Sequence, residues 1–163
     1  MHESPTMKAD AMGLRIGVVA SVYHWEIVGP LLQAAKAVFA DAGGAAADLM
    51  VVEAPGAFEL VALCSALANR DDIDGVVALG CVIRGETTHD TWINSAVAHG
   101  LTSLSVATGK PAAFGVLTCN THEQAVARSG GTKGNKGEEA MKAAIVAARL
   151  IKAINQGEGA VRS

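Results

Sequence analysis

Aromatic side chains are scarce in this sequence, at 4% of 163 residues, while alanine and glycine abound. An aromatic-rich core is thereby excluded, and helices packed closely on a sheet are favoured. Cysteine is sparse as well. Cys64, Cys81 and Cys119 form no CxxC pair and no even-numbered set, so no disulfide framework is expected. Two of them stand in apolar runs and read as reduced core thiols, which fits a cytoplasmic protein. No apolar run approaches the roughly 20 residues of a membrane span, so no membrane association is expected. Residues 1–14 are polar and lack the apolar stretch of a secretory signal. Positive charge is not in excess either. The formal net charge is −3, so composition forces no basic face, and nucleic acid is not an expected partner.

Half of the residues are apolar, enough for one domain with a real core but too few residues for two. Their pattern alternates strand and helix. Residues 15–20, 49–52, 76–79 and 112–118 are short, β-branched apolar runs that predict strands. Helices are expected over residues 26–42, from Leu60 through Leu67, over 91–107, over 121–128 and over 138–155. Pro30 is tolerable only in a first helical turn, which places the start of its helix near Val28 or just before. Thr121 and Gln124 have capping-box spacing. Residues 129–137 read as a loop rich in glycine and lysine. Four strands alternating with helices predict an α/β domain, a flavodoxin-like three-layer sandwich on a four-stranded parallel sheet. That domain is expected over 15–155, with a flexible arm over 1–14 and a frayed tail over 156–163.

Several familiar chemistries lack their signatures. The turn Ala20-Ser21-Val22-Tyr23 has no glycine, so the dinucleotide fingerprint is absent. The loop from Gly130 to Lys136 has the composition of a phosphate loop without its spacing. There is no HExxH, and the five histidines do not cluster in sequence, so no metal site is expected. The acidic residues of a phospho-acceptor domain are missing from the ends of the first and third strands.

What remains is a set of turns converging on one sheet edge. Residues 80–90 follow the third strand and read as its turn into the next helix, where ligands of such sheets bind. Thr87 and Thr88 are N-cap candidates, free amides at a helix start attract anions, and His89 stands in the first turn. Together they suggest proton chemistry on a phosphorylated substrate; a capped helix with a solvated histidine fits the same spacing. Tyr23 can stack on a flat ring or simply pack half-buried. Gly56 and Ala57 let a ligand approach the backbone. Glu59 either accepts hydrogen bonds from hydroxyls or is a carboxylate favoured by a helix start. Phe114 reads first as core. Arg128 and Lys136 flank the glycine loop, as solvated charges or as phosphate ligands.

The motifs Pro-Gly-Ala-Phe-Glu (55–59), Gly-Cys-Val-Ile-Arg-Gly-Glu-Thr-Thr-His (80–89), Phe-Gly-Val-Leu-Thr (114–118) and Gly-Asn-Lys-Gly (134–137) occur together, in that order. The chain resembles the 6,7-dimethyl-8-ribityllumazine synthases of riboflavin biosynthesis over about residues 15–154. The resemblance implies a transferase without cofactor that joins 5-amino-6-(D-ribitylamino)uracil to 3,4-dihydroxy-2-butanone 4-phosphate. It implies that Tyr23 stacks on the pyrimidine and that Ala57, Phe58 and Glu59 hold the ribityl chain. Val82 and Ile83 would line the ring pocket, and Gly85, Glu86 and Thr87 would meet the phosphate. His89 would move protons. Phe114 would close the pocket and Arg128 would pair with the phosphate, both from a neighbouring subunit, and Lys136 would support the phosphate end. A homo-pentamer is implied, with an icosahedral shell of pentamers and riboflavin synthase as further possibilities of assembly. The compact 129–137 segment favours the shell. A non-catalytic flavin- or ribityl-binding shell protein and another sugar-phosphate enzyme on this fold are the alternatives.

Overall fold

The computed structural model describes residues 7–159. Continuous apolar runs form the centre of the sheet. β1 (Ile16–Ser21) is buried at every residue and β3 (Gly75–Ile83) at all but its last. β2 (Leu49–Ala54) and β4 (Ala112–Cys119) flank them in a parallel sheet of order β2-β1-β3-β4. The sheet separates two cores. On one face Val18, Val77, Leu79 and Leu117 pack with Leu31 and Phe39 of α1 (Trp25–Asp41) and Met141 and Ile145 of α5 (Lys136–Asn155). On the other, Val19, Val76, Ala78 and Val116 pack with Leu60 and Leu67 of α2 (Leu60–Ala68) and Val97 and Leu101 of α3 (His89–Thr108). This is the expected three-layer flavodoxin-like α/β arrangement.

α1 starts earlier than Pro30 was expected to allow. It opens at Trp25, which puts Pro30 beyond the first turn. Gly29 precedes the proline ring and offers no Cβ to clash with it. The carbonyl deprived of an N–H partner belongs to Glu26, an exposed residue within reach of water. Initiation comes from His24, whose carbonyl accepts from both Ile27 N–H and Val28 N–H at 2.9 Å.

β3 runs on past Leu79, because β4 continues to pair with it as far as Ile83 opposite Cys119. The turn expected over 80–90 therefore shrinks to residues 84–88. α4 (His122–Arg128) begins as its capping box indicated. Gln124 N–H donates to Thr121 Oγ1 at 3.2 Å, and Gln124 Oε1 accepts from Asn120 N–H at 2.9 Å.

The expected loop over 129–137 is an antiparallel hairpin, β5 (Ser129–Gly131) and β6 (Gly134–Asn135). Gly130 and Gly134 take φ of 115° and 80°, which side-chain-bearing residues rarely adopt. α5 begins at Lys136 because Asn135 caps it. Its Oδ1 accepts from Gly137 N–H at 2.9 Å and Glu138 N–H at 3.3 Å.

The flexible arm expected over 1–14 is corrected for its last part. Ala11 and Leu14 are fully buried, and Ala11 N–H donates to the Ala42 carbonyl at 2.8 Å. The Arg149 guanidinium holds the Asp10 carbonyl at 2.9 Å and also reaches that of Met12. Of the expected tail, Gln156 and Glu158 still donate to carbonyls of the last turn of α5. Residues 1–6 and 160–163 lie outside the described residues.

Candidate active site

All four strands point their carboxyl ends at one edge, and the turns after β1, β2 and β3 enclose a hollow of about 410 Å³. Tyr23 and His24 come from the first turn, and Gly56, Ala57, Phe58 and Glu59 from the second. Val82 and Ile83 come from β3, Gly85 and Thr87 from the turn after it, and His89 from the start of α3. Of the residues singled out at this end, Glu86 and Thr88 do not line the hollow; both are exposed on the turn. Tyr23 is 66% and Phe58 63% exposed, so neither is a packing residue of the described chain. Trp25 is exposed but lies along Gly29 on α1, where its indole nitrogen would stand 3.4 Å from an added Cβ. Tyr23, and not Trp25, borders the hollow.

The backbone at this entrance is strained. His24 adopts φ 56° and ψ 48°, the one left-handed non-glycine among the described residues. The conformation turns its ring edge-on to Tyr23, with centroids 4.7 Å apart at 73°. Its Nδ1 lies 3.4 Å from Glu26 Oε1, and His122 Nε2 approaches the same oxygen at 3.5 Å. The Glu26 carboxyl is held below its ordinary pKa, first by a backbone hydrogen bond and then by the two imidazoles.

The start of α3 is open to an anion. Thr88 occupies the N-cap but makes no side-chain cap bond, contrary to expectation, and only a long 3.4 Å contact joins His89 N–H to Thr87 Oγ1. Thr91 N–H donates to the Thr88 carbonyl at 3.1 Å, which leaves the Asp90 amide, and His89 N–H in its long contact, available. Gly85 has no atom within 4 Å of where a Cβ would stand, so the approach is unobstructed. At the other end, Glu59 folds its carboxylate over Gly56, with Oε2 3.2 Å from the place of an added Cβ. Cys81 also lines the hollow. Burial pushes its thiol up to about 12, so it stays protonated at neutral pH and is no nucleophile.

Phe114, Arg128 and Lys136 lie elsewhere. They line a second hollow of about 390 Å³ along the sheet edge formed by β4, together with Val116, Leu117, Thr118, Cys119, Lys133 and Glu139. No residue lines both hollows. Phe114 is half-buried there, against the helices of the α2–α3 face. Among the described residues no group of three or more His, Cys, Asp or Glu side chains could hold a metal ion.

A family model described as 6,7-dimethyl-8-ribityllumazine synthase matches residues 13–152, a span that contains both hollows entire. The chain belongs to the 6,7-dimethyl-8-ribityllumazine synthase family. Its relatives agree with that membership along almost their whole length. The 6,7-dimethyl-8-ribityllumazine synthase of Thermus thermophilus is 43% identical over 146 residues, 90% of this chain and 93% of the relative. That of Aquifex aeolicus is 42% identical, over 90% of this chain and 96% of its own. The Kocuria rhizophila enzyme of the same name is 45% identical, over 92% and 97%.

In this lumazine synthase family member, sequence reasoning passed over His24, Cys81, Asp90 and Ile93 of the first hollow and Lys133 and Glu139 of the second. Ile93 stands one turn after His89 and so shares its face, a signal that was legible. His24 follows Tyr23 directly, but nothing in the sequence shows that the residue is left-handed.

Proposed function

We propose that this chain condenses 5-amino-6-(D-ribitylamino)uracil with 3,4-dihydroxy-2-butanone 4-phosphate to 6,7-dimethyl-8-ribityllumazine, phosphate and water, the penultimate step of riboflavin biosynthesis. The observation that carries it is the family match laid over a hollow whose walls are the matched turns. The 5-amino group attacks the ketone and loses water to a Schiff base. Phosphate leaves, the enol tautomerises, and the ribitylamino nitrogen closes the ring with loss of water. Tyr23 stacks on the pyrimidine, Val82 and Ile83 wall it, and Glu59 with the backbone at Ala57 and Phe58 takes the ribityl hydroxyls. The Gly85, Glu86 and Thr87 turn faces the phosphate, and His89 moves protons between the steps. Three thiols without a partner suit the cytoplasm.

Purified protein given both substrates should develop lumazine absorbance, and His89→Ala should slow turnover about 10- to 100-fold, the low end of general acid–base catalysis. The low end is expected because amines and ketones condense unaided and the site acts largely by alignment. No absorbance from the wild type sinks the reaction, and an unchanged variant across the pH range sinks the role of His89.

The second hollow completes the first from a neighbouring copy. Phe114 and Arg128 share no wall with His89 within one chain, so a site that draws on both hollows needs two subunits in contact. A closed ring of five provides that contact at every subunit. The β5–β6 hairpin is short and protrudes by no added loop, which supports rings stacking further into a hollow shell. Analytical ultracentrifugation at low micromolar concentration should show a species far larger than one ring. A single pentamer-sized boundary refutes the shell, and a monomer refutes the shared site as well.

A further inference from the structure

We propose that Lys133 supplies, beside Arg128, the second positive charge that holds the phosphate group of the butanone substrate, the part expected of Lys136. The inference rests on the reaction proposed above. Four charged residues line the second hollow: Arg128, Lys133, Lys136 and Glu139. Lys136 Nζ lies 3.0 Å from Glu139 Oε2, so these two cancel. The first amides of α5 are no substitute, because Asn135 Oδ1 takes those of Gly137 and Glu138. The Arg128 guanidinium spends one N–H on the Gln124 carbonyl at 3.1 Å, which fixes it over the last turn of α4 and leaves its other donors.

Lys133 has no carboxylate within salt-bridge distance and no side-chain hydrogen bond among the described residues. Its backbone N–H donates to the Ala127 carbonyl at 2.8 Å, next door to Arg128. That bond clamps the hairpin to the end of α4. Gly131 makes the clamp possible, because an added Cβ would stand 2.8 Å from the Val126 carbonyl oxygen and 2.9 Å from Ala127 Cα. The hairpin is thus held where its lysine and the arginine line one hollow. A phosphate monoester carries close to two negative charges near neutral pH. Arg128 and Lys133 match it; Arg128 alone leaves the hollow one charge short. Lys136 cannot serve without exposing the Glu139 carboxylate to the same anion.

Titration calorimetry of the full-length protein with inorganic phosphate at low ionic strength tests this apart from turnover. Lys133→Ala should weaken phosphate binding about tenfold, roughly the effect of one charge-assisted contact. Lys133→Arg should restore most of it. The charge-neutral double variant Lys136→Ala with Glu139→Ala should stay within about twofold of wild type. In the enzyme assay Lys133→Ala should raise KM for the butanone phosphate in parallel and leave KM for the uracil in place. Equal phosphate binding by wild type and Lys133→Ala overturns the proposal, binding too weak to detect in both included. A loss in the double variant as large as in Lys133→Ala overturns it too. A wild type that turned over nothing, yet bound phosphate through Lys133, would remove the reaction and keep the anion site.

Discussion

Arg128→Ala should raise KM for the butanone phosphate by roughly 10- to 100-fold and leave KM for the uracil nearly unchanged. A hydrogen bond to a charged partner contributes about 1.5–3 kcal/mol, and an arginine on a phosphate makes two in parallel. Arg128 ends α4, where the Thr121 cap and the Gln124 carbonyl fix the helix and the side chain in turn. The substitution therefore removes a positioned fork and not a wandering charge. Arg128→Lys should recover only part of the loss, since a point charge cannot make the paired contact. Steady-state kinetics with each substrate varied against saturating partner measures this. Equal rises for both substrates would mean that Arg128 supports structure and does not meet the phosphate.

Gly137→Ala should destabilise the subunit by about 3 kcal/mol or more, near the upper end for overpacking a core. A Cβ at that position would stand 2.1 Å from the Leu31 carbonyl oxygen, 2.7 Å from its carbon and 2.8 Å from Leu31 Cα. All three are backbone atoms of α1, so no rotamer change relieves the clash. Two helices must separate, and they are the two long helices on one face of the sheet. Alanine gains about 1 kcal/mol of helix propensity over glycine, which offsets a third of the cost at most. Urea denaturation followed by far-ultraviolet circular dichroism gives the difference. A variant as stable as wild type would show that α1 and α5 pack less closely than the structure has them.

The strands were legible because β1 and β3 are buried on both faces and read as unbroken apolar runs. The capping box at Thr121 was legible because its chemistry is local. Pro30 misled because the tolerance for it comes from Gly29 and from a helix start fixed by His24, and the sign of a backbone angle leaves no trace in the sequence at a histidine. The hairpin was missed for a related reason. Four glycines permit many backbones, and Asn135 reveals itself as a cap only once Gly137 and Glu138 point their amides at it. The first hollow followed from strand ends, which topology gathers at one edge. The separation of Phe114 and Arg128 from His89 came from the family resemblance, which takes both from a neighbouring subunit, and not from residue pattern, since sequence order carries no distance.

Both tryptophans of the chain stand near the surface, Trp25 at 42% and Trp92 at 72% exposure, while the one aromatic fully inside is Phe39. The emission of an isolated folded subunit is then already that of a solvated indole. Denaturant has little left to shift, so intrinsic fluorescence is nearly blind to unfolding here. The same placement makes it a reporter of approach. Trp92 shares a groove with Phe58, Glu59 and His89, and anything that dries this groove, a ligand or a neighbour, moves the spectrum to the blue.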